Sequence, residues 1–471
     1  MGKGRSVVEA LLEASVQPHR EYLQANQPGQ KLFLALKIRP SAEATRSRPQ
    51  LAVAFVVDTS GSMREVVTEP TERTGQSVRV DGKDYEVVRG AKSKIDLVIE
   101  ALQNLLSSPQ LQPSDRLAIV KFDDVAEVVQ PFTHANEKAR LVAAAERLTQ
   151  YSGGTQMGAG MREGMRLLER EGGSRRLILL TDGQTFDEPL VETVAAQLAQ
   201  ARIPVTAIGV GDEWNDDLLA EITDRTQGKP FHVIPDNQNP QPPSLRASEL
   251  PQAILGELEH AALEVVTNVT LSVKTVRDVT LERITRVYPT QTEVDRSVQP
   301  HPLGNAETGD WTVYILEFTL PTRGPSRIRL AQLGLTYEVP GQGYRGELPP
   351  IDVVAEFTTN ESLSSRIDPQ VMQWVQQRNI EMLVKQAAQE AKSDPAKAAK
   401  TLELARNMTV KLGNSAMTQA LDRAVGELRS SKTLSLGTQK TLKIGAKTQT
   451  LKAEPGSALP SDEESRKITG A

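Results

Sequence analysis

Asp58, Ser60 and Ser62 stand at alternate positions of one string, Asp-Thr-Ser-Gly-Ser-Met, that follows directly on the apolar run at residues 51–57. One carboxylate and two hydroxyls on a tight, glycine-containing turn are oxygen donors suited to a hard divalent cation. The same string also serves as an Asx or serine turn that ends a strand. A second apolar run, residues 177–180, ends in Thr181-Asp182-Gly183, and Ser152-Gly153-Gly154-Thr155 lies between the two ahead of a helical segment. Asp187 and Glu188 follow closely and read as caps of the next helix. Other chemistries lack their residues. The chain has no cysteine, which excludes disulfides, thiolate sites and cysteine nucleophiles. His19, His134, His232, His260 and His301 are scattered and read as surface or structurally satisfied residues. No glycine-rich phosphate loop with Lys and Ser/Thr is present.

The elements around these residues have a clear pattern. A continuous apolar run such as 51–57 is expected of a central strand in a parallel sheet covered on both faces. Ile95, Val98, Ile99, Leu102, Leu105 and Leu106 recur at helical spacing, which predicts an amphipathic helix over 93–106. Strands are expected at 116–122, 125–130, 177–180, 203–209 and 231–234, with Asp123-Asp124 as a hairpin turn. Helices are expected at 136–149, 156–170, 190–201 and 214–226. Alternation of this kind predicts an α/β fold with a doubly wound, mostly parallel sheet. Ligands of such sheets bind beyond the carboxyl ends of strands at a switch point.

The three segments together resemble the metal-ion-dependent adhesion site of the von Willebrand factor A (VWA) family, whose pattern is Asp-x-Ser-x-Ser, then Thr, then Asp. The resemblance covers about residues 51–235. It implies a Rossmann-like VWA fold and a metal bound by Asp58, Ser60, Ser62, Thr155 and Asp182, with the hydroxyls binding directly and the aspartates directly or through water. The implied ion is Mg2+, with Mn2+ or Ca2+ as substitutes. Because such a donor set leaves the ion short of negative charge and with an open position, a Glu or Asp of a partner protein could complete its shell. This points to an adaptor for protein–protein interaction and not to an enzyme. The chain further resembles soluble bacterial VWA proteins associated with Ser/Thr kinases, PP2C phosphatases and forkhead-associated, phosphothreonine-reading domains. An accessory subunit of a MoxR-type AAA ATPase or chelatase, and a metal-assisted hydrolase, are the alternatives.

Outside the VWA segment, residues 31–38 read as a strand. Residues 269–274, 312–320, 326–330, 333–339 and 351–357 alternate with period two, as in an antiparallel β-sandwich. The expected layout has an N-terminal segment over 1–50 whose strand joins the sandwich, and a VWA domain over 51–262 inserted in or followed by it. The sandwich itself covers 263–360. A small helical bundle follows over 361–430, with helices starting at Asp368-Pro369 and Asp394-Pro395. The tail over 431–471 repeats Lys-Thr-Leu, has five lysines and no acid between 430 and 452, and is expected to be disordered. Thr433, Thr441 and Thr448 are its expected phosphorylation sites. A hairpin turning at Asp81-Gly82 is expected to overhang the metal turn and to confer specificity.

The net charge of -5 argues against a general nucleic-acid or anionic-membrane binder. No run approaches the roughly 18 apolar residues of a membrane span. Glu9 and Glu13 interrupt any signal-peptide core, so a cytoplasmic location is expected.

Overall fold

A computed structural model describes residues 10–46, 48–68, 70–80, 83–109, 111–235 and 243–452. The chain divides into two compact units, one of residues 50–262 with 435–444, the other of the remaining segments.

The first unit is built on the strand Leu51–Asp58, every residue of which is buried. Its period-two alternation serves two faces. Val53, Phe55 and Val57 join a core with Val98 and Leu102 of the helix Lys94–Ser107 and Ile254 of the helix Leu250–Leu263. Ala52, Ala54 and Val56 face the opposite core with Met161 of the helix Met157–Leu168 and Val194 of Glu188–Gln200. Both faces being covered is why the run shows no polar alternation. The sheet runs Leu245–Arg246, Lys229–Ile234, Val205–Val210, Ser174–Thr181, Leu51–Asp58, Arg116–Phe122 and Ala126–His134. All neighbours are parallel except the last pair. From Leu51–Asp58 the chain goes first to one neighbouring strand and later to the other. Its carboxyl end is therefore a switch point, where a doubly wound sheet binds its ligands.

The loops there start from well-made caps. Ser93 and Asp96 form a capping box that begins the helix Lys94–Ser107. Between the metal turn and this helix, Glu72–Val80 and Lys83–Arg89 pair as an antiparallel ribbon. Its Asp81-Gly82 turn lies outside the described residues.

In the second unit, Leu12–Pro18, Lys31–Pro40, Thr312–Thr319, Thr280–Tyr288 and Thr292–Glu293 form a five-stranded sheet over a six-stranded one, with a shared core that includes Leu36, Leu316 and Leu335. Lys31–Pro40 pairs antiparallel with Thr312–Thr319. A strand before residue 50 thus completes a sheet made after residue 262, and the VWA segment is an insertion. The helices Pro369–Glu390, Pro395–Leu412 and Ser415–Ser431 follow, and Asp368 and Asp394 cap the first two by accepting from Val371 N–H and Lys397 N–H.

The tail departs from expectation. Residues Leu436–Thr448 are a helix and not a disordered segment. Leu442, Ile444 and Ala446 are buried, and the helix lysines Lys440, Lys443 and Lys447 have acidic or carbonyl partners far away in sequence. Within the first unit Lys443 pairs with Asp216 and Asp217, and Lys440 donates to the carbonyls of Asp212 and Trp214. A segment rich in one charge folds when those partners neutralise it, which composition alone does not reveal. Residues 453–471 lie outside the described region. Among the described residues, no helix is long and apolar enough to cross a membrane.

Candidate metal centre

Asp58 ends the central strand, fully buried, and its two oxygens are spoken for locally. Oδ1 accepts the Ser60 N–H at 2.8 Å, which closes the turn, and Oδ2 accepts the Thr181 hydroxyl at 2.7 Å from the neighbouring strand. The turn then presents Ser60 Oγ 3.1 Å from Ser62 Oγ, and Ser62 Oγ donates to Asp182 Oδ1 at 2.8 Å. Three of the five expected residues thus form one run of oxygen contacts, and Asp58 joins it through the Ser60 N–H.

For the fifth, Thr155, the contacts seen are those of its loop and carbonyl, not of its hydroxyl. Gly61 N–H donates to Gly153 O at 3.2 Å, and the Thr155 carbonyl accepts from Phe186 N–H at 3.0 Å and from the Thr185 hydroxyl at 3.1 Å. The 152–155 loop is therefore fixed both to the Asp58 turn and to the segment after Asp182. A Cβ at 153 or 154 would come within 2.6 Å or 2.7 Å of the Asp124 carboxylate and displace it. That carboxylate accepts Gly154 N–H at 3.0 Å. Behind the turn, Asp123 is held by Lys121 at 2.9 Å and receives the Thr59 hydroxyl at 3.1 Å.

Lys94 was not legible as part of this site. Its ammonium, 5% exposed, donates to Asp182 Oδ2 at 2.8 Å and to Glu65 Oε2 at 2.6 Å. Burial works against its charge, but the Asp182 and Glu65 carboxylates outweigh this and hold its pKa above the ordinary lysine value. Asp58 moves the other way for a carboxyl. Burial, reinforced by the nearby Asp182 charge against the opposing hydrogen bonds, pushes it up to about 6. Asp58, Asp182 and Glu65 against Lys94 leave an excess of two formal negative charges, the amount that a divalent cation cancels. Hard hydroxyl and carboxylate oxygens, a surplus of negative charge and a carboxyl that is costly to ionise without a cation fit Mg2+ chemistry. Among the described residues, no three His, Asp or Glu side chains converge on one point, so the hydroxyls are indispensable to any cation held here.

Asp187 caps a different helix from the one expected. Its carboxylate accepts the N–H groups of Gly158 and Ala159, at the start of Met157–Leu168, and the Thr185 hydroxyl. His232 is a satisfied structural residue between Gly211 O, Asp212 and Ser244. The tail threonines differ in exposure. Thr433 is exposed, Thr448 is half-buried in its helix, and the Thr441 hydroxyl is 2.7 Å from Ser244 Oγ. Leu436 and Lys440 nevertheless help to line a cavity of 590 Å³ together with Gly183, Gln184 and Trp214, beside Asp182 in sequence.

Comparisons with known proteins agree with this fold. Residues 52–241 match the family model described as von Willebrand factor type A domain. Residues 369–452 match the Sll0103-like, C-terminal alpha-helical domain. The second match carries the helical domain past the boundary at 430 and into the segment expected to be disordered. The uncharacterized protein sll0103 of Synechocystis sp. is 24% identical over 357 residues, covering 74% of this chain and 76% of that protein. In fold, the chain is similar to a von Willebrand factor type A structure from Catenulispora acidiphila, at TM-score 0.73 and 17% identity, covering 95% of this chain and 99% of that one. It is also similar to the ArnB paralog VWA2 from Sulfolobus acidocaldarius, at TM-score 0.56 and 13% identity over 94% of this chain and 100% of that one.

Proposed function

We propose that the von Willebrand factor type A domain of this chain holds Mg2+ at Asp58, Ser60, Ser62, Thr155 and Asp182 and presents it to a Glu or Asp of a protein partner. The observation that carries this reading is the unbroken oxygen run Ser60–Ser62–Asp182, at 3.1 and 2.8 Å, beside a buried Asp58. Mg2+ readily keeps an exchangeable coordination position. The partner's carboxylate takes that position. Adaptor work is favoured over hydrolysis because the acids and the lysine around this set are already engaged in structural contacts: Asp187 in a helix cap, Asp123 with Lys121, Glu65 with Lys94. None is free to act as a general base.

The rim suits a protein ligand. Phe186 is 80% exposed, although its own N–H is tied to the Thr155 carbonyl and its ring lies 3.3 Å from where a Cβ on Gly154 would be. An exposed aromatic on a tethered backbone beside the proposed metal is an anchor for an apolar side chain next to the partner's acid. Phe186→Ala is expected to weaken partner binding by about tenfold or more while Mg2+ affinity, measured by calorimetry, stays unchanged.

The wider setting of the proposal is a cytoplasmic kinase and phosphatase system, with the threonine tail as its regulatory handle. The tail helix lines the cavity next to Gly183, so a phosphate on it would act close to the metal face. Thr433 is exposed while Thr441 is bonded to Ser244. Phosphopeptide mass spectrometry after kinase treatment is therefore expected to find Thr433 modified before Thr441. Modification of Thr441 has first to break its bond to Ser244. The decisive test of the adaptor reading is affinity capture of partners with and without EDTA. A partner set indifferent to EDTA and to loss of Asp58 would refute it.

A further inference from the structure

We propose that Lys94 is a built-in counter-ion of the metal face, which holds the face in shape without a cation and lowers the affinity of any cation that binds. This rests on the cation reading above and adds a residue that the Asp-x-Ser-x-Ser, Thr, Asp pattern does not contain.

Lys94 is the first residue of its helix, where an ammonium faces the positive end of the helix dipole. Lysine is poorly placed there unless something fixed and negative draws it in. The side chain runs past Gly211, 3.8 Å from where a Cβ at that position would stand, and ends between Asp182 Oδ2 and Glu65 Oε2. Asp182 is 1% exposed, so its charge cannot be met by water. The ammonium meets it on one oxygen, while the other oxygen accepts Ser62. Through Ser62 and then Ser60 the same ammonium fixes the whole hydroxyl edge of the turn.

Two consequences point in one direction. A divalent ion held by Ser60, Ser62 and Asp182 would share the Asp182 carboxylate with Lys94 and be repelled by it across a few ångströms of poorly solvated interior. Without Lys94, Asp182 would be a buried carboxylate lacking a cationic neighbour, and its demand for a cation would rise. Removing the ammonium should therefore tighten cation binding and at the same time loosen the protein in the absence of a cation. A merely structural lysine would do only the second.

The test is MgCl2 titration by isothermal calorimetry, with thermal melting in EDTA, on wild type, Lys94→Met, Lys94→Gln and Lys94→Arg. Lys94→Met and Lys94→Gln are expected to bind Mg2+ about tenfold or more tightly than wild type. In EDTA they should melt about 5 °C or more below wild type and regain the difference with Mg2+. Lys94→Gln keeps a hydrogen-bond donor, so it separates charge from contact if Lys94→Met does not fold. Lys94→Arg keeps the charge and should retain the wild-type affinity. Equal or weaker Mg2+ binding by the neutral variants, with wild type still binding, overturns the role of Lys94 and leaves the cation reading standing. Absence of Mg2+ binding in wild type and all variants overturns both.

Discussion

In Asp58→Asn, Mg2+ no longer raises the melting temperature, and partners held through the metal are no longer captured. For wild type, a cation at 100 times its dissociation constant stabilises by about 2.7 kcal/mol. In a domain of this size that is a rise of about 5–10 °C. Asn is isosteric but neutral, so the ion loses an anionic neighbour while the Ser60 N–H keeps an acceptor. The metal-free comparison has the opposite sign. Burial, and after it the charge of Asp182, raises the Asp58 pKa from 3.8 to about 6, so the native state holds a proton there that the unfolded chain has already released. In EDTA this contribution of Asp58 is therefore lost as pH rises from about 4 to 6, by about 3 kcal/mol at most, and it is absent from Asp58→Asn. Melting curves at pH 4.5 and 7.5, with and without Mg2+, check both halves. A Mg2+-dependent rise retained in Asp58→Asn would exclude this residue from the site.

Glu257→Ala should be the most damaging single change in the scaffold of the metal domain, at about 3–5 kcal/mol. Glu257, on the helix Leu250–Leu263, is 3% exposed and receives Lys229 at 2.8 Å, Thr206 Oγ1 at 3.1 Å and Arg176 at 3.4 Å. Arg176 lies on Ser174–Thr181, the strand that ends in the Thr181-Asp182 segment. Removing the carboxylate leaves two cations facing each other, one of them 5% exposed. Burial opposes ionisation of Glu257, but Lys229 and Arg176 more than offset it and hold its pKa below the ordinary glutamate value. Its stabilisation is thus complete above pH 4.5 and is lost as pH falls through the lowered folded-state value. Urea melts at pH 7 and pH 4 should show a large deficit in Glu257→Ala that narrows in acid. Glu257→Gln should recover only part of it, because an amide satisfies geometry but not charge.

The candidate site was legible in the sequence to the extent that its logic is local. Asp58, Ser60 and Ser62 declare themselves because strand end, turn and donor spacing lie within five residues, and the apolar run before them fixes where the turn emerges. Thr155 and Asp182 became visible only through the family pattern, since their approach depends on loop contacts such as Gly61 with Gly153. Lys94 gave no signal of its own. On a helical wheel it is a polar residue at the start of an amphipathic helix, and the Glu65 and Asp182 that bury it come from two other segments. The tail helix was hidden for a similar reason. Its lysine count suggested a solvated chain, whereas its partners Asp216 and Asp217 lie more than 200 residues earlier and its buried face rests on Leu442, Ile444 and Ala446.

The insertion between Lys31–Pro40 and Thr312–Thr319 also sets an order of events. Closing a loop the length of residues 50–262 in an unfolded chain costs about 5 kcal/mol of entropy, before one ladder bond between those strands can form. Once the inserted domain has folded, that loop no longer has to be closed by chance. Ser174 donates its N–H to Gln50 O at 2.9 Å and its hydroxyl to Ala261 O at 3.5 Å, so one residue gathers the domain's entry and exit. The sandwich strands are thereby delivered to each other as near neighbours. A lesion in the Ser174 strand is then expected to appear as slow maturation of the β-sandwich as well as of its own domain, read by refolding kinetics.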